Sequence, residues 1–115
     1  MDGKKIFICD DDAGIIDVLK LILESTDAEI IAESRSARAF ERLIKEKPDV
    51  LIVDLWMPEV SGEQLIHKVR SHVELQETYI ICISASYEGE KIATDAGADV
   101  FLAKPFDMNA ILSLV

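Results

Sequence analysis

Val50-Leu51-Ile52-Val53-Asp54-Leu55-Trp56-Met57-Pro58 decides the reading of this chain. Its first four residues are apolar without a break, as in a strand covered on both faces, and such strands belong to parallel sheets. A carboxylate then stands among apolar neighbours, where burial without a partner costs several kcal/mol. Either the strand meets solvent at Asp54, or the charge is kept for chemistry.

Four further short apolar runs flank this one, at residues 6–9, 29–32, 79–83 and 100–103. All but the second are apolar at nearly every position, which predicts strands covered on both faces. The second is short and flanked by Glu29 and Glu33, which suits an edge strand. Helical patterns lie between the runs. Ile15, Leu19, Ile22 and Leu23 share a face, and so do Ala37, Phe40 and Ile44. Leu65, Val69 and Val73 form a third stripe, which Ser61-Gly62-Glu63-Gln64 should open as a capping box. A fourth helix is expected over 88–96 with Gly97 as its C-cap, and a fifth from Asp107. Strict alternation of strand and helix implies right-handed crossovers and helices on both faces of the sheet. The fold class is α/β: a (βα)5 doubly wound parallel sheet, flavodoxin-like, in strand order 2-1-3-4-5.

The chain has 115 residues, enough for one domain with a real core. Its net charge of −10 repels phosphate backbones and anionic headgroups, so direct nucleic-acid binding is not expected. No stretch approaches the roughly 18 apolar residues of a membrane span. The apolar run that follows Lys4 and Lys5 is too short for a signal peptide. Cys9 and Cys82 show no CxxC spacing and should lie two strands apart, about 9–10 Å, too far for a disulfide. A cytoplasmic protein is expected.

The polar residues collect at one edge of this scheme. Asp10, Asp11 and Asp12 follow strand 1, Asp54 ends strand 3, Ser84 ends strand 4, and Lys104 follows strand 5. Open parallel sheets bind ligands at these carboxyl ends, and the proposed order makes strands 1 and 3 neighbours. Three converging carboxylates repel one another, a cost that a hard divalent cation relieves. Lys104 offers a point charge and Ser84 a hydroxyl to a phosphoryl oxygen. Together they make a phosphoryl-transfer site in which a carboxylate can itself become an aspartyl phosphate. Each piece has a plainer explanation: the aspartates could cap a helix, and Asp54 could mark a strand end. Four such positions on one rim are harder to assign to chance.

In those residues the chain resembles the receiver domain of bacterial response regulators. The resemblance runs over residues 1–115 and rests on an ordered set of motifs. These are the acidic run after Ile6-Phe7-Ile8-Cys9, Asp54 to Pro58 with Gly62, Ser84-Ala85, Gly97-Ala98-Asp99 and Lys104-Pro105-Phe106. It implies that Asp54 accepts a phosphoryl group from a kinase phosphohistidine. Asp10 and Asp11 would bind Mg²⁺ with Asp54 and the backbone carbonyl of Trp56. Lys104 would pair with the phosphoryl group, Ser84 would be the switch hydroxyl, and Phe101 the aromatic switch. Pro105 would follow a cis bond, plausible only before proline. The partners implied are a sensor histidine kinase or phosphotransfer protein and a downstream effector domain or protein. The output is a shift of the face formed by helix 4, strand 5 and helix 5.

Four features depart from the family's pattern. Ser84 stands where Thr is common, and Phe101 stands where Tyr is common. The segment from Ser84 to Lys104 is short, and the chain stops at Val115 early in helix 5, which reads as a truncated helix. The charged residues that winged-helix regulators use for dimerisation are not evident in 107–115, so that dimer mode is not expected.

Other residues read more plainly. His67 and His72, five apart, miss metal-pair spacing and suit a solvated helix face. Trp56, two residues past Asp54, could shield a phosphoryl group from water, so Trp56→Ala should alter its lifetime. A competing enzymatic reading is a phosphatase similar to the haloacid dehalogenase superfamily, with Asp10 as nucleophile and Asp12 as acid. It needs a second acidic motif after Lys104, which Asp107 alone does not supply. A flavodoxin-type flavin site is rejected because the loop after strand 1 is acidic. A receiver-like module working without phosphorylation ranks lower, since every reactive residue is present.

Overall fold

Five parallel strands form one sheet in the order β2-β1-β3-β4-β5 in the computed structural model, which describes residues 4–115. Along the chain the elements are β1 (Lys5–Cys9), α1 (Ala13–Leu23), β2 (Glu29–Glu33), α2 (Ser36–Glu46) and β3 (Val50–Asp54). They continue with α3 (Gly62–Ser71), β4 (Tyr79–Ser84), α4 (Gly89–Ala96), β5 (Val100–Ala103) and α5 (Met108–Leu114). The alternation, topology and doubly wound class are those expected from the sequence. Met1 to Gly3, the start of the span over which the resemblance runs, lie outside the described residues. Among the described residues, no helix is long and apolar enough to cross a membrane.

Successive strand residues face opposite sides, so the continuous apolar runs feed two cores. Phe7, Leu51, Val53 and Ile80 pack against Leu43 of α2, Leu65 and Val69 of α3 and Ala93 of α4. Ile6, Ile8, Ile52 and Ile81 pack on the other side against Leu19 and Leu23 of α1 and Ile111 of α5. β1, β3 and β4 are sealed on both faces, and truncating a core Ile or Leu to Ala typically costs about 2–5 kcal/mol. The register pairs Cys9 with Val53 and Val53 with Cys82, so the three central strands end nearly level. Both cysteines are free and buried, two strands apart as expected. Burial pushes each thiol up to about 12.

Four expectations need correction. β5 is half-buried at all four positions rather than sealed, because it is an edge strand with only short α4 and α5 as cover. The stripe on α2 is rotated: Ser36, Ala39 and Leu43 are buried, Phe40 and Ile44 flank them, and Ala37 is exposed. α3 stops at Ser71, so Val73 falls in a short 3-10 turn (Val73–Leu75) and is 79% exposed. Leu75 fills the core place instead. His72 does not lie on a solvated helix face: its Nδ1 accepts from the Glu74 amide at 3.2 Å and its ring meets Phe40 edge-on. His67 is exposed, as expected.

The helix boundaries otherwise follow local chemistry. Ser61 Oγ accepts from the Gln64 amide at 3.1 Å, and Gln64 Oε1 accepts from the Ser61 amide at 3.0 Å, completing the capping box. Asp107 caps α5 through the Asn109 amide. Gly97 ends α4 at φ +120°, a conformation that disfavours other residues. Arg70 clasps that end, donating to the carbonyls of Gly97, Gln76 and Thr78 and to Asp99 Oδ2.

Candidate functional site

β3 and β4 end in polar residues, and β1 is followed by one. In the order β2-β1-β3-β4-β5, a doubly wound sheet opens its crevice between the ends of β1 and β3. Asp10 follows β1 and is fully buried, and Asp54 closes β3 with only 6% exposure. Asp11 is exposed beside them. One oxygen from each of Asp10, Asp11 and Asp54 lies within 4.8 Å of the others. Lys104, just past β5, reaches across with its Nζ 3.3 Å from Asp10 Oδ2 and 3.4 Å from Asp54 Oδ1.

The acidic run thus divides by role. Asp12 is the helix cap, its Oδ1 accepting from the Gly14 amide at 2.8 Å. Asp10 Oδ1 accepts from the Asp12 amide at 2.9 Å, which leaves its other oxygen for Lys104. Of the run weighed as a whole for capping, only Asp12 caps the helix, while Asp10 and Asp11 lie in the carboxylate cluster. With its Oδ1 spent on the cap, Asp12 stands outside the carboxylate cluster, against the phosphatase reading that made it an acid.

Burial chiefly pushes Asp54 up to about 6, and the neighbouring Asp10 charge adds to it, while Lys104 pulls the other way. Asp10 is raised as well by burial, against the opposing Asp12 amide and Lys104. Burial works against the Lys104 charge, but Asp10 and Asp54 outweigh it and raise its pKa. Three carboxylates beside one ammonium leave the ionised site short of about two positive charges. The donors are all hard oxygens, which suits Mg²⁺ better than a soft metal.

Ser84 ends β4 fully buried, with its Oγ accepting from the Ser86 amide at 3.1 Å. The Lys104 amide donates to the Ser84 carbonyl at 2.8 Å, tying the fifth strand end to the fourth. The Lys104–Pro105 bond is cis, as expected. Phe101 is half-buried and packs against the core on the α4 side. Trp56 is 52% exposed in the loop after Asp54.

Gly62 is already in the motif set, and the structure adds its physical reason; sequence reasoning passed over the roles of Gly89 and Ser36. Gly62 matters because a Cβ would stand 2.3 Å from the Asp54 carbonyl oxygen, so α3 starts against the backbone at the end of β3. Gly89 is similar: a Cβ there would meet Leu55 Cδ2 at 2.3 Å, with Ser84 Oγ and Phe101 each at 3.6 Å. Ser36 is 3% exposed and spends its hydroxyl on the loop after Asp54, a contact with no local pattern to announce it. A surface groove along Leu21, Leu23 and Ile30 runs from the end of α1 to β2, and none of the clustered carboxylates lines it.

Comparison with known proteins agrees with this geometry. Residues 6–115 match the family model of the response regulator receiver domain. The transcriptional regulatory protein KdpE of Staphylococcus aureus is 32% identical over 109 residues, covering 93% of this chain and 46% of that protein. The chain spans about half the length of the curated relatives it matches. A response regulator from Chloroflexus aurantiacus superposes with a TM-score of 0.93 at 26% identity, covering 97% of this chain and 93% of that one. The receiver domain of the sensor histidine kinase PA1611 from Pseudomonas aeruginosa has a TM-score of 0.89 at 19% identity, covering 96% of this chain and 93% of that one. It was solved with a magnesium ion coordinated in its active site cleft, and at that identity the likeness speaks for the fold alone.

Proposed function

This chain belongs to the response regulator receiver domain family, phosphoacceptor signalling domains of two-component systems, and on that premise we propose that Asp54 is its phosphoacceptor. The single observation that carries the assignment is the meeting of Asp10, Asp11 and Asp54 with Lys104 at one sheet edge. An Asp54 oxygen attacks the phosphorus of a kinase or phosphotransfer phosphohistidine. A P–O bond forms, the P–N bond breaks, and the imidazole nitrogen keeps the electron pair. Asp10, Asp11, Asp54 and the Trp56 backbone carbonyl would hold Mg²⁺, which supplies charge neutralisation for the transferring phosphoryl group. Lys104 would move its ion pair from Asp54 to a phosphoryl oxygen.

Phosphorylation adds between about −1.5 and −2 charge beside Lys104. Ser84 then turns its hydroxyl toward the phosphoryl group and releases the Ser86 amide, which loosens the loop into α4. Phe101, which flanks the same space, follows, and the face of α4, β5 and α5 changes its affinity for an effector domain or protein. Residues 1–115 act as one receiver unit, cytoplasmic and without direct nucleic-acid contact of its own. Its only reaction is its own Mg²⁺-dependent phosphorylation and dephosphorylation. Intact mass after incubation with acetyl phosphate and Mg²⁺ tests the assignment. Wild type should gain one phosphoryl group and Asp54→Asn none; labelling that survives in Asp54→Asn but disappears in Asp10→Asn would overturn it.

A further inference from the structure

We infer that Ser36 is a positioning residue for the loop after Asp54 and thereby sets how tightly the site holds a divalent cation. The inference rests on the metal reading just given and adds a residue that makes no contact with the reacting groups.

A serine at a helix start ordinarily caps its own helix. Ser36 does not: α2 begins after Arg35 with no side-chain cap, and the Ser36 hydroxyl reaches residues 22 and 24 positions away. Its O–H donates to the Pro58 carbonyl, and its oxygen accepts from the Val60 amide at 2.9 Å. Between those two partners lies Glu59 at φ +70°, a left-handed conformation that costs a non-glycine residue about 1–2 kcal/mol. One buried hydroxyl therefore holds both peptide groups that flank a strained residue.

The rest of the loop is pinned at its ends. The Leu55 amide donates to the Ile83 carbonyl at 3.0 Å, and the Gly62 amide donates to the Leu55 carbonyl at 2.8 Å. Trp56 lies between the Leu55 anchor and the Ser36 tie. The Arg35–Glu59 ion pair also crosses to this loop, but both side chains are about half exposed and such pairs contribute little. Met57 adds a contact of 3.7 Å between its sulfur and Cys9 Sγ, which fixes a side chain rather than the backbone. Among the described residues, Ser36 is the one buried side chain that fastens the middle of the loop by hydrogen bonds. Without it, the Pro58 carbonyl and Val60 amide lose their partner, Glu59 is free to relax, and the Trp56 backbone is held from one side only.

The test is a titration with Mg²⁺ alone, followed by fluorescence of Trp56, the single tryptophan of the chain. Wild type, Ser36→Ala, Ser36→Thr and Asp11→Asn are compared. Ser36→Ala should bind Mg²⁺ about tenfold more weakly, the low end of what supporting residues around metal sites contribute. Ser36→Thr keeps the hydroxyl and should recover most of that loss. With acetyl phosphate as donor, the rate deficit of Ser36→Ala should close as Mg²⁺ rises, a change in KM for the metal rather than in kcat. Amide exchange at Val60 should quicken in Ser36→Ala alone. If Ser36→Ala unfolds at a lower temperature yet binds Mg²⁺ like wild type, Ser36 is merely structural and the inference is overturned. If wild type shows no response to Mg²⁺, or Asp11→Asn responds equally, the metal reading fails first and the inference falls with it.

Discussion

The loops that follow β3 and β4 border the same site and are held in opposite ways. The first is anchored throughout: Gly62 packs against the Asp54 backbone, Ser61 and Gln64 cap α3 reciprocally, and Ser36 grips the middle. The second leads into an eight-residue α4 whose Glu88 cap makes no side-chain hydrogen bond. Its side-chain ties are two serine hydroxyls, Ser84 accepting from Ser86 and Ser86 accepting from Glu88. Short-range backbone bonds run beside them from Gly89 to Ser86 and from Glu90 to Tyr87, and Tyr87 at the loop's tip is 80% exposed. A site that must bind a cation in one geometry and also report its own phosphorylation needs both kinds of wall. On the proposed function, the fixed loop would serve the metal and the loosely held loop would serve the signal.

The sharpest way to break this contrast is to place a methyl group on each side. A Cβ at either Gly62 or Gly89 comes within 2.3 Å of a neighbour, but the neighbours differ. At Gly62 it is the Asp54 carbonyl, which cannot move without the strand, so Gly62→Ala should cost about 3–4 kcal/mol in urea unfolding. At Gly89 it is the tip of the Leu55 side chain, which can turn away. Gly89→Ala also gains helix propensity of about 1 kcal/mol, so its net stability change should stay within about 1 kcal/mol. Equal losses at the two glycines would contradict the division into a fixed and a yielding wall.

Next in size is the electrostatic load on the fixed wall. Asp54 lies near 6 in the fold against an ordinary 3.8, so the folded state binds more protons than the unfolded state between those values. Stability of the metal-free protein should therefore fall as pH rises from about 4 to 6. Asp54→Asn should stabilise the protein in EDTA at pH 7 by about 1–3 kcal/mol and flatten that decline, leaving the smaller share from Asp10. Thermal unfolding at several pH values reads both effects, and a destabilised Asp54→Asn would remove the argument.

Smaller effects refine the comparison at the helix starts. Ser61→Ala loses a capping-box hydroxyl and should cost about 1 kcal/mol. Glu88→Ala removes no cap bond, so its unfolding midpoint should move by less than about 0.5 kcal/mol. A larger loss at Glu88 than at Ser61 would reverse the assignment of which helix is the better anchored.

Much of this was legible in the sequence because the signals are local. Continuous apolar runs gave the strands, Ser61 to Gln64 gave a helix start, and Asp54 inside an apolar run gave the site. The errors were errors of phase or of long range. The α2 stripe was read one residue off because Phe40 and Ile44 look more hydrophobic than Ser36 and Ala39, which are the buried ones. Val73 continued the α3 stripe arithmetically, but His72 ends the helix and caps the next turn, turning Val73 to solvent. Ser36 and Gly89 could not have been found by pattern. Their partners lie on other elements, and only folding brings them beside the site.

The contrast between the two loops is tested most directly by amide hydrogen exchange, with and without acetyl phosphate, in the presence of Mg²⁺. Phosphorylation should change exchange in residues 85–92 while residues 55–62 stay protected, and Asp54→Asn should show no change in either loop. Equal changes in both loops, or a change confined to residues 55–62, would contradict the account.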